Sequence, residues 1–528
     1  PDTYRVDKAT RVFRDRTIGQ KELEIVVREQ GGIEEREVEP DRRATLCLGP
    51  LACEALAEHA IRIERQFRGP QDIEFACRGG DVWVLQARPL SIVVQPGTKR
   101  WQRRRRSGAI DRGKLVWSNV NVGEALPGVA TPLTWSVLSH FSELGFRRAF
   151  GALGISVAPE AELVGGFRGR IYLNLTEILG ALSQIPGFRP RMILPLGGAG
   201  LGDVLETEIE RRGSAPFVAR LPFTVRRYVS ENFRLAARVR AFDEDFGDER
   251  RRLRSIDLRL LPPSGLAQTM KDTEHLLDRT GAIMLTVYGN LLGTSVLLSA
   301  ALSAVAGEQA AGLARDLLAG MDDVDSAEPG LALTRVAETF ERDPAAARVI
   351  ASRPAHELSL ESLPEGPMRR ALQHFLRAYG HRGPREAELA EPRWAEDPTT
   401  IFTTLQVHLR KPGRASVAAS EIRRTRVYED AERRLVATVP LPFRPPIRAL
   451  LSVVRRYVGM RERLRSHVTE VLGLMRRVAL DASLRIAVKE PAAGLDAAFF
   501  LTVDELHQVL RGELSGVAGR IAQRRIQF

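Results

Sequence analysis

Cysteine is almost missing: 3 in 528 residues, Cys47, Cys53 and Cys77, at no spacing suited to a metal. An odd number without a framework excludes a disulfide-stapled secreted domain and fits a reducing, cytoplasmic compartment. Aromatic residues are few, at 6%, and no nucleic-acid-binding motif is present, so base stacking is not expected. Long apolar runs are rarer still. The single candidate is Thr280 to Gly307, 28 residues without a charge. Thr286, Tyr288, Asn290, Thr294, Ser299 and Ser303 make it too polar for lipid and predict a buried central helix of a bundle, with no membrane. No basic start followed by an apolar run opens the sequence, so secretion has no signal here. A glycine-rich phosphate loop is lacking as well. The first residue is proline and the chain opens inside a β pattern, as an internal fragment would.

What is present is an ordinary globular composition, 44% hydrophobic and 27% charged, in a chain long enough for about two to four domains. Lysine and arginine outnumber the acids 78 to 66, a net charge of +12. The excess is mostly arginine spread over helical patterns, with one cluster at Lys99 to Arg106. That spread suits small anionic ligands or solubility better than a nucleic-acid partner. Residues 1–95 read as α+β. Strands are expected over Thr3 to Phe13, Glu22 to Val27 and Ile33 to Val38. A helix follows over Leu51 to Phe67, with Leu51, Leu56, Ala60 and Ile63 on one side, then a hairpin. Residues 96–114 read as a basic linker, flexible and solvated. Residues 115–528 read as a large, mainly α-helical domain.

The hairpin, Gly69 to Leu90, carries the chemistry. Two alternating runs flank Gly79 and Gly80. A three-residue loop at Gly79, Gly80 and Asp81 sets Glu74 opposite Gln86 and Asp72 opposite Arg88. Ile73, Phe75, Cys77, Trp83, Leu85 and Ala87 then share the other face, against the core. A one-residue slip would flip every side chain. Mg2+ takes hard oxygen ligands, usually one or two from protein beside phosphate and water. Glu74 and the Gln86 amide oxygen are such ligands, and Arg88 suits a phosphate held by two prongs. The plain alternative is an ordinary hairpin with a solvated polar face.

Here the sequence resembles a family. PQDIEFA, a short hairpin and LQARPL resemble the end of the ATP-grasp domain in the phosphoenolpyruvate synthase, pyruvate phosphate dikinase and rifampicin phosphotransferase group. The likeness continues upstream in DTYRVDKAT and IGQKE, and downstream in NVGEALPGVATPLTWS, HRGPREAEL and EPRWAEDP. It implies that residues 1–95 are the C-terminal part of an ATP-grasp domain. It also implies that Glu74 and Gln86 bind the metal of Mg-ATP and that Arg88 contacts its phosphates. Lys21 falls in the family's G-x-K stretch; a solvated strand-end lysine is an equal reading. The resemblance implies an ATP-dependent phosphotransferase in which a carrier histidine on a small mobile domain takes a phosphoryl group and passes it to an acceptor. AMP and phosphate are left. Covalent relay splits one hard transfer into two easier ones. None of the 9 histidines has the Gly- and Ser/Thr-rich setting expected of that carrier, and His140 and His467 sit in helical patterns. The carrier domain and the front of the ATP domain therefore read as missing, and no turnover is expected of this chain alone. The long helical region directly after the hairpin resembles the rifampicin phosphotransferase order.

Further along, Trp117 to Trp135 reads as a loop, in which Glu124 is either part of a helix cap or of a ligand wall. Gly165 to Leu175 reads as a short strand pair. Helical periodicity runs through Asp203 to Arg212, Val218 to Phe242, Leu266 to Thr280, Leu313 to Leu318 and Met368 to Tyr379. In His381 to Pro398, Arg382, Glu386, Glu388 and Arg393 either brace an interhelix loop or border a substrate cavity, and the resemblance places this loop on the substrate side. Glu124, Arg382, Glu388 and Arg393 are thus the acceptor-side candidates. Ile447 to Leu484 reads as one long helix, broken near Gly459 and Gly473. It is crowded by Arg455, Arg456, Arg461, Arg463 and Arg465, either a solvated rim or a phosphate-facing stripe. Thr502 with Glu505 forms a capping box. A non-catalytic ligand-binding module with a relic hairpin is the competing reading.

Overall fold

In a computed structural model, the residues described are all except 1, 9, 11–12, 20, 22, 28–32, 68–70, 79–80, 90–91, 97–113, 120–121, 123–127, 168, 187–211, 308–309, 320–327, 411–416 and 528. Glu124, most of the basic linker and nearly all of the Asp203 to Arg212 helix expectation lie outside the described residues. Chain contacts divide the protein into two units, Pro1–Val93 and Val94–Phe528. The fold is α+β in the plain sense: small antiparallel sheets and a predominance of helix.

The first unit pairs its strands two by two. β1 (Thr3–Val6) pairs with β2 (Phe13–Thr17), and β3 (Leu23–Val27) with β4 (Ile33–Glu37). After the short α1 (Pro40–Arg43) comes α2 (Pro50–Gln66), which starts on a proline whose missing N–H costs nothing there. The expected buried side of α2 is displaced. Leu51 is exposed, while Ala52 and Cys53 are buried. With the helix starting at Pro50, its third and fourth residues face inward and its second faces solvent.

β5 (Gln71–Arg78) and β6 (Asp81–Pro89) form the hairpin. Near its base Glu74 pairs with Gln86, Ile73 with Ala87 and Asp72 with Arg88. The tip departs from expectation. Phe75 pairs with Val84 and Arg78 with Asp81, so two residues separate the strands and Leu85 is the extra residue of a β-bulge. The bulge restores at the base what a two-residue turn would have lost. It also moves Trp83 opposite Ala76, on the Glu74 side of the register, and brings Val82 and Val84 opposite Cys77 and Phe75. The face expected to be core is open in part: Phe75, Trp83 and Leu85 are exposed. A two-stranded ribbon has few neighbours to cover it.

In the second unit, β7 (Ile92–Pro96, the strand at the division between units), β8 (Lys114–Ser118), β9 (Val164–Phe167) and β10 (Arg170–Asn174) make one sheet in the order β7-β8-β10-β9. The expected strand pair at Gly165 to Leu175 is β9–β10, while the loop expected from Trp117 begins as strand and ends as helix. α3 (Pro132–Ala152) and α4 (Leu175–Leu182) frame the sheet. Three long helices follow: α5 (Ala215–Ser255), α6 (Pro263–Ala306) and α13 (Arg444–Lys489). Between α6 and α13 lie α7 (Ala310–Ala319), α8 (Glu328–Ala337), α9 (Pro344–Ser352), α10 (Pro367–Tyr379), α11 (Thr399–Arg410) and α12 (Val417–Thr438). α14 (Val503–Arg511) and α15 (Ala518–Gln527) close the chain.

The main core joins α3, α5, α6, α13 and α14 through Leu133, Leu235, Phe246, Leu266, Met270, Val287, Leu464, Met475 and Leu506. Each such side chain contributes roughly 1.5–3 kcal/mol by leaving water. α6 approaches its neighbours closely because glycine lies at the contact: a Cβ on Gly281 would stand 2.4 Å from the Phe141 ring. α6 is long and apolar enough to cross a membrane by length and composition, but Val287, Asn290, Thr294, Leu298 and Leu302 are buried in the bundle. Only one face meets the expectation of burial, for Tyr288, Leu292 and Val296 are exposed. α13 runs through Gly459 and Gly473 without the expected break. A single glycine costs a helix about 1 kcal/mol, well within what packing returns.

Candidate functional site: a metal-nucleotide hairpin and a buried guanidinium cluster

The first unit brings Glu74 and Gln86 opposite each other, with Asp72 and Arg88 opposite one another two positions on. Directly opposed residues of an antiparallel pair stand about 4.5–5.5 Å apart at Cβ, a span one cation or one phosphate can bridge. Glu74 and Gln86 are both solvent-exposed. Their oxygen donors are of the type Mg2+ takes, and among the described residues no cluster of three metal-type side chains offers a rival cage. Mg-nucleotide sites use few protein ligands, so this pair fits. Lys21 is not the solvated lysine that one reading allowed. Its ammonium is largely enclosed, bonded to Asp2 Oδ1 at 2.6 Å and to the Thr45 carbonyl at 2.6 Å. That contact, followed by N–H groups of Gly19 and Cys47, holds the Asp2 carboxyl far below the usual carboxylate range.

In the second unit the loop from His381 to Pro398 is irregular, as three prolines require, and lies against α13; the nearest contact to a Cβ on Gly473 would be His381. Glu388 is buried, and its oxygens accept from the start of α3 and from its own loop. Oε2 accepts from Thr131 N at 3.0 Å; Oε1 accepts from Thr131 Oγ1 at 2.7 Å, Thr134 Oγ1 at 2.8 Å and Ala390 N at 2.9 Å. The structure therefore places Glu388 as the brace of a helix N-terminus, where a carboxylate is favoured. Glu386 is the hub of the remaining charges. Its carboxylate lies 3.9 Å from Arg382 and 3.5 Å from Arg465, and its carbonyl accepts from Arg393 Nη1 at 2.8 Å. Burial, then the charge of Arg476, brings Arg393 down to about 10. Burial likewise pushes His381 down to about 4, so its imidazole is neutral at pH 7. Arg461 lies over the Tyr288 ring at 5.9 Å and bonds to buried Glu462. Arg461 and Arg465, one turn apart, thus face the loop and Tyr288. Arg455 instead bonds to the Leu317 carbonyl and stacks on Tyr428, and Arg463 pairs with Asp243 at 3.1 Å. The arginine run is split among neighbours.

Several buried charges were missed from sequence. Glu470 accepts from Arg250 at 2.6 Å. Burial opposes its charge, but His467, His381 and Arg250 together hold it at about 2. His467 stacks on Phe246 with ring centroids 3.9 Å apart and meets Asp243 at 3.1 Å. Burial works against its proton, and the bonded Asp243 carboxylate and the Glu470 carboxylate 3.9 Å away together outweigh that and raise its pKa. Arg476 grips Glu396 through Nε and Nη2 and the Leu389 carbonyl through Nη1. On α13, Glu462, Thr469, Arg476 and Ser483 recur every seven residues and are all buried. A polar line at that spacing reads from sequence as a solvated face, which is why its burial was not legible. A separate cleft of about 580 Å³ lies at the far end of α13, lined by Leu484, Ile486 and Val509 and by the charged Arg259, Arg485 and Lys489. At 1.5 Å per residue it is about 30 Å from Arg465.

Two stretches of the chain match known protein families. Residues 1–107 match the pyruvate phosphate dikinase AMP/ATP-binding domain, and residues 282–462 match the rifampicin phosphotransferase fourth domain. A nucleotide-binding domain followed by a helical domain of the rifampicin phosphotransferase type defines a class of phosphotransferases. These matches support assignment to the family of phosphoenolpyruvate-utilising enzymes that includes phosphoenolpyruvate synthase and rifampicin phosphotransferase. It is 24% identical over 498 residues to the prodigiosin synthesizing transferase PigC of Serratia marcescens, covering 92% of this chain and 55% of that protein. It is 22% identical over 537 residues to the rifampicin phosphotransferase of Streptomyces sviceus, covering 97% of this chain and 56% of that protein. A probable phosphoenolpyruvate synthase of Methanothermobacter thermautotrophicus is 41% identical over 93 residues, 18% of this chain and 14% of that protein. The chain thus spans about half the length of the long relatives it matches.

Proposed function

We propose that this chain carries the metal-phosphate hairpin and the acceptor-binding helical unit of an ATP-dependent phosphotransferase that works through a carrier histidine. The carrying observation is the hairpin register, which opposes Glu74 to Gln86 and Asp72 to Arg88 despite the bulge at Leu85. On this reading Glu74 and the Gln86 amide oxygen would hold the Mg2+ of Mg-ATP, and Arg88 would hold a phosphate. When bound, Mg2+ neutralises charge on the phosphates. Arg88 is the catalytic residue, offsetting charge as the phosphoryl group leaves for the histidine. The β-phosphoryl group would pass to that histidine, on a domain outside this chain, with AMP as the leaving group and water taking the γ-phosphoryl group as phosphate. The histidine would then pass its phosphoryl group to the acceptor. The acceptor side is the Tyr288, Arg461, Arg465 and Glu386 region. Arg382 and Arg393 support it from behind, Glu388 fixes the loop that carries them, and Glu124 remains a wall candidate. The guanidinium groups of Arg461 and Arg465, beside Tyr288 and Glu386, support this choice, since a phosphoryl acceptor site needs cations that tolerate solvent. The small-molecule acceptor is unnamed: pyruvate, an antibiotic hydroxyl or another alcohol fit equally.

The test has two parts. For this chain, Mg-dependent binding of a fluorescent ATP analogue is expected, weakened tenfold or more by Glu74→Ala or Arg88→Ala. Binding unchanged by either variant would refute the hairpin assignment. In the full gene product, ATP is expected to yield AMP, with product lost in the same variants. ADP as the sole product would end the relay reading, and nucleotide binding without any product would favour a non-catalytic module.

A further inference from the structure

Arg393 is a charge that folding has removed almost completely from water, at 2% exposure. Burying a guanidinium is costly unless hydrogen bonds and a counter-charge replace its hydration. It has one bond, from Nη1 to the Glu386 carbonyl at 2.8 Å. Nε and Nη2 are buried and have no partner. The nearby carboxylates are engaged elsewhere: Glu386 with Arg382 and Arg465, Glu396 with Arg476, and Glu388 with Thr131, Thr134 and Ala390. Nε–H and Nη2–H project side by side from one edge of the guanidinium plane. What they lack is therefore a pair of oxygens in one plane, the geometry of a carboxylate or phosphate. A halide or single water fills only one position.

The surroundings hold that edge in place. Trp394 N donates to the Arg382 carbonyl at 2.7 Å and Ala395 N to the Gly380 carbonyl at 2.9 Å. A Cβ on Gly383 would meet the Pro392 carbonyl oxygen at 2.9 Å, so the two backbone segments touch. Arg382, held by that pairing, is itself 8% exposed and keeps an unbonded Nε. His381 keeps an unbonded Nε2. Two buried guanidiniums, Arg382 and Arg393, thus present unused donors, which in a native fold calls for an occupant.

We infer that the Nε/Nη2 edge of Arg393 is a binding site for an oxyanion, the carboxylate or phosphate group of a small ligand. The site needs neither the hairpin nor a metal, so it stands apart from the nucleotide reading. The experiment titrates this chain with inorganic phosphate and, separately, acetate at constant ionic strength in chloride, by calorimetry and by the 15N–1H signal of the Arg393 side-chain Nε. Saturable one-site binding of either anion, with a shift of that signal, is expected. Arg393→Lys, which keeps the charge but cannot bridge two oxygens, is expected to weaken binding tenfold or more. Phosphate alone binding would assign a phosphate ligand, and acetate alone a carboxylate. No saturable binding of either anion, an Arg393 signal unmoved at saturation, or equal binding by Arg393→Lys would overturn the inference. If the lysine variant fails to fold, the signal in the unmodified chain decides.

Discussion

Replacing Glu388 tests how the helical unit is tied across the sequence. Four donors converge on its carboxylate, two of them backbone N–H groups at Thr131 and Ala390 and two of them hydroxyls. In Glu388→Ala the hydroxyls can turn to other acceptors, but the two N–H groups cannot. Each buried donor left unpaired costs about 1–3 kcal/mol, so a loss of roughly 3–5 kcal/mol is expected, the range typical of breaking a buried charged contact. Glu388→Gln keeps one acceptor oxygen. Whichever way the amide turns, one backbone N–H faces an NH2 group, for a loss of about 1–3 kcal/mol. Urea unfolding followed by tryptophan emission reads this directly, since Trp117, Trp135 and Trp394 report on the same unit. Alanine within about 1 kcal/mol of the parent, or glutamine as damaging as alanine, would refute the donor count.

Acid should weaken the helical unit in two stages. His381 stays neutral in the fold until pH falls to about 4, whereas the unfolded chain takes that proton near 6.5. Stability is therefore lost as pH falls from about 6.5 to 4, by roughly 3 kcal/mol in all. Glu470, held at about 2, adds a further loss as pH falls from its ordinary carboxylate range toward 2. His467, raised by Asp243 and Glu470, acts in the other direction, its contribution full below 6.5 and lost as pH rises through its folded value. Unfolding midpoints measured across pH, with His381→Gln flattening the segment between 6.5 and 4, check the assignment; an unchanged profile in that variant would refute it. Two glycines should respond in opposite ways to alanine. Gly281→Ala drives a methyl into the Phe141 ring and should cost stability, whereas Gly459→Ala meets nothing within 4 Å and should gain about 0.5–1 kcal/mol. Thermal unfolding of both variants checks the pair, and equal signs would refute it.

Much of the hairpin was legible because polarity alternates with strand period and the polar residues are spaced to match. Asp72, Glu74, Gln86 and Arg88 fall into register on that pattern alone. The turn was not legible. A three-residue loop and a two-residue turn with a bulge give the same pairing at the base, and only the ladder distinguishes them. The exposed Phe75, Trp83 and Leu85 show the same limit: alternation tells which residues share a face, not whether anything covers it. In the helical unit, periodicity located α5, α6, α10 and α13, because an apolar stripe is a property of one segment.

What the sequence alone determined, then, is local: helix and strand periods, the Thr502–Glu505 capping box seen in the structure, and the grouping of an acid, an amide and a guanidinium on one ribbon. What only the tertiary structure decided is which charges meet. Glu388 bonds to Thr131, 257 residues away in the chain, and Glu470 to Arg250, 220 residues away. No residue pattern encodes such a meeting, since a carboxylate's partner is set by where the backbone returns. The physical reason is that hydrophobic packing, which is not directional, chooses the helix positions. The buried charges must then satisfy one another wherever that packing leaves them.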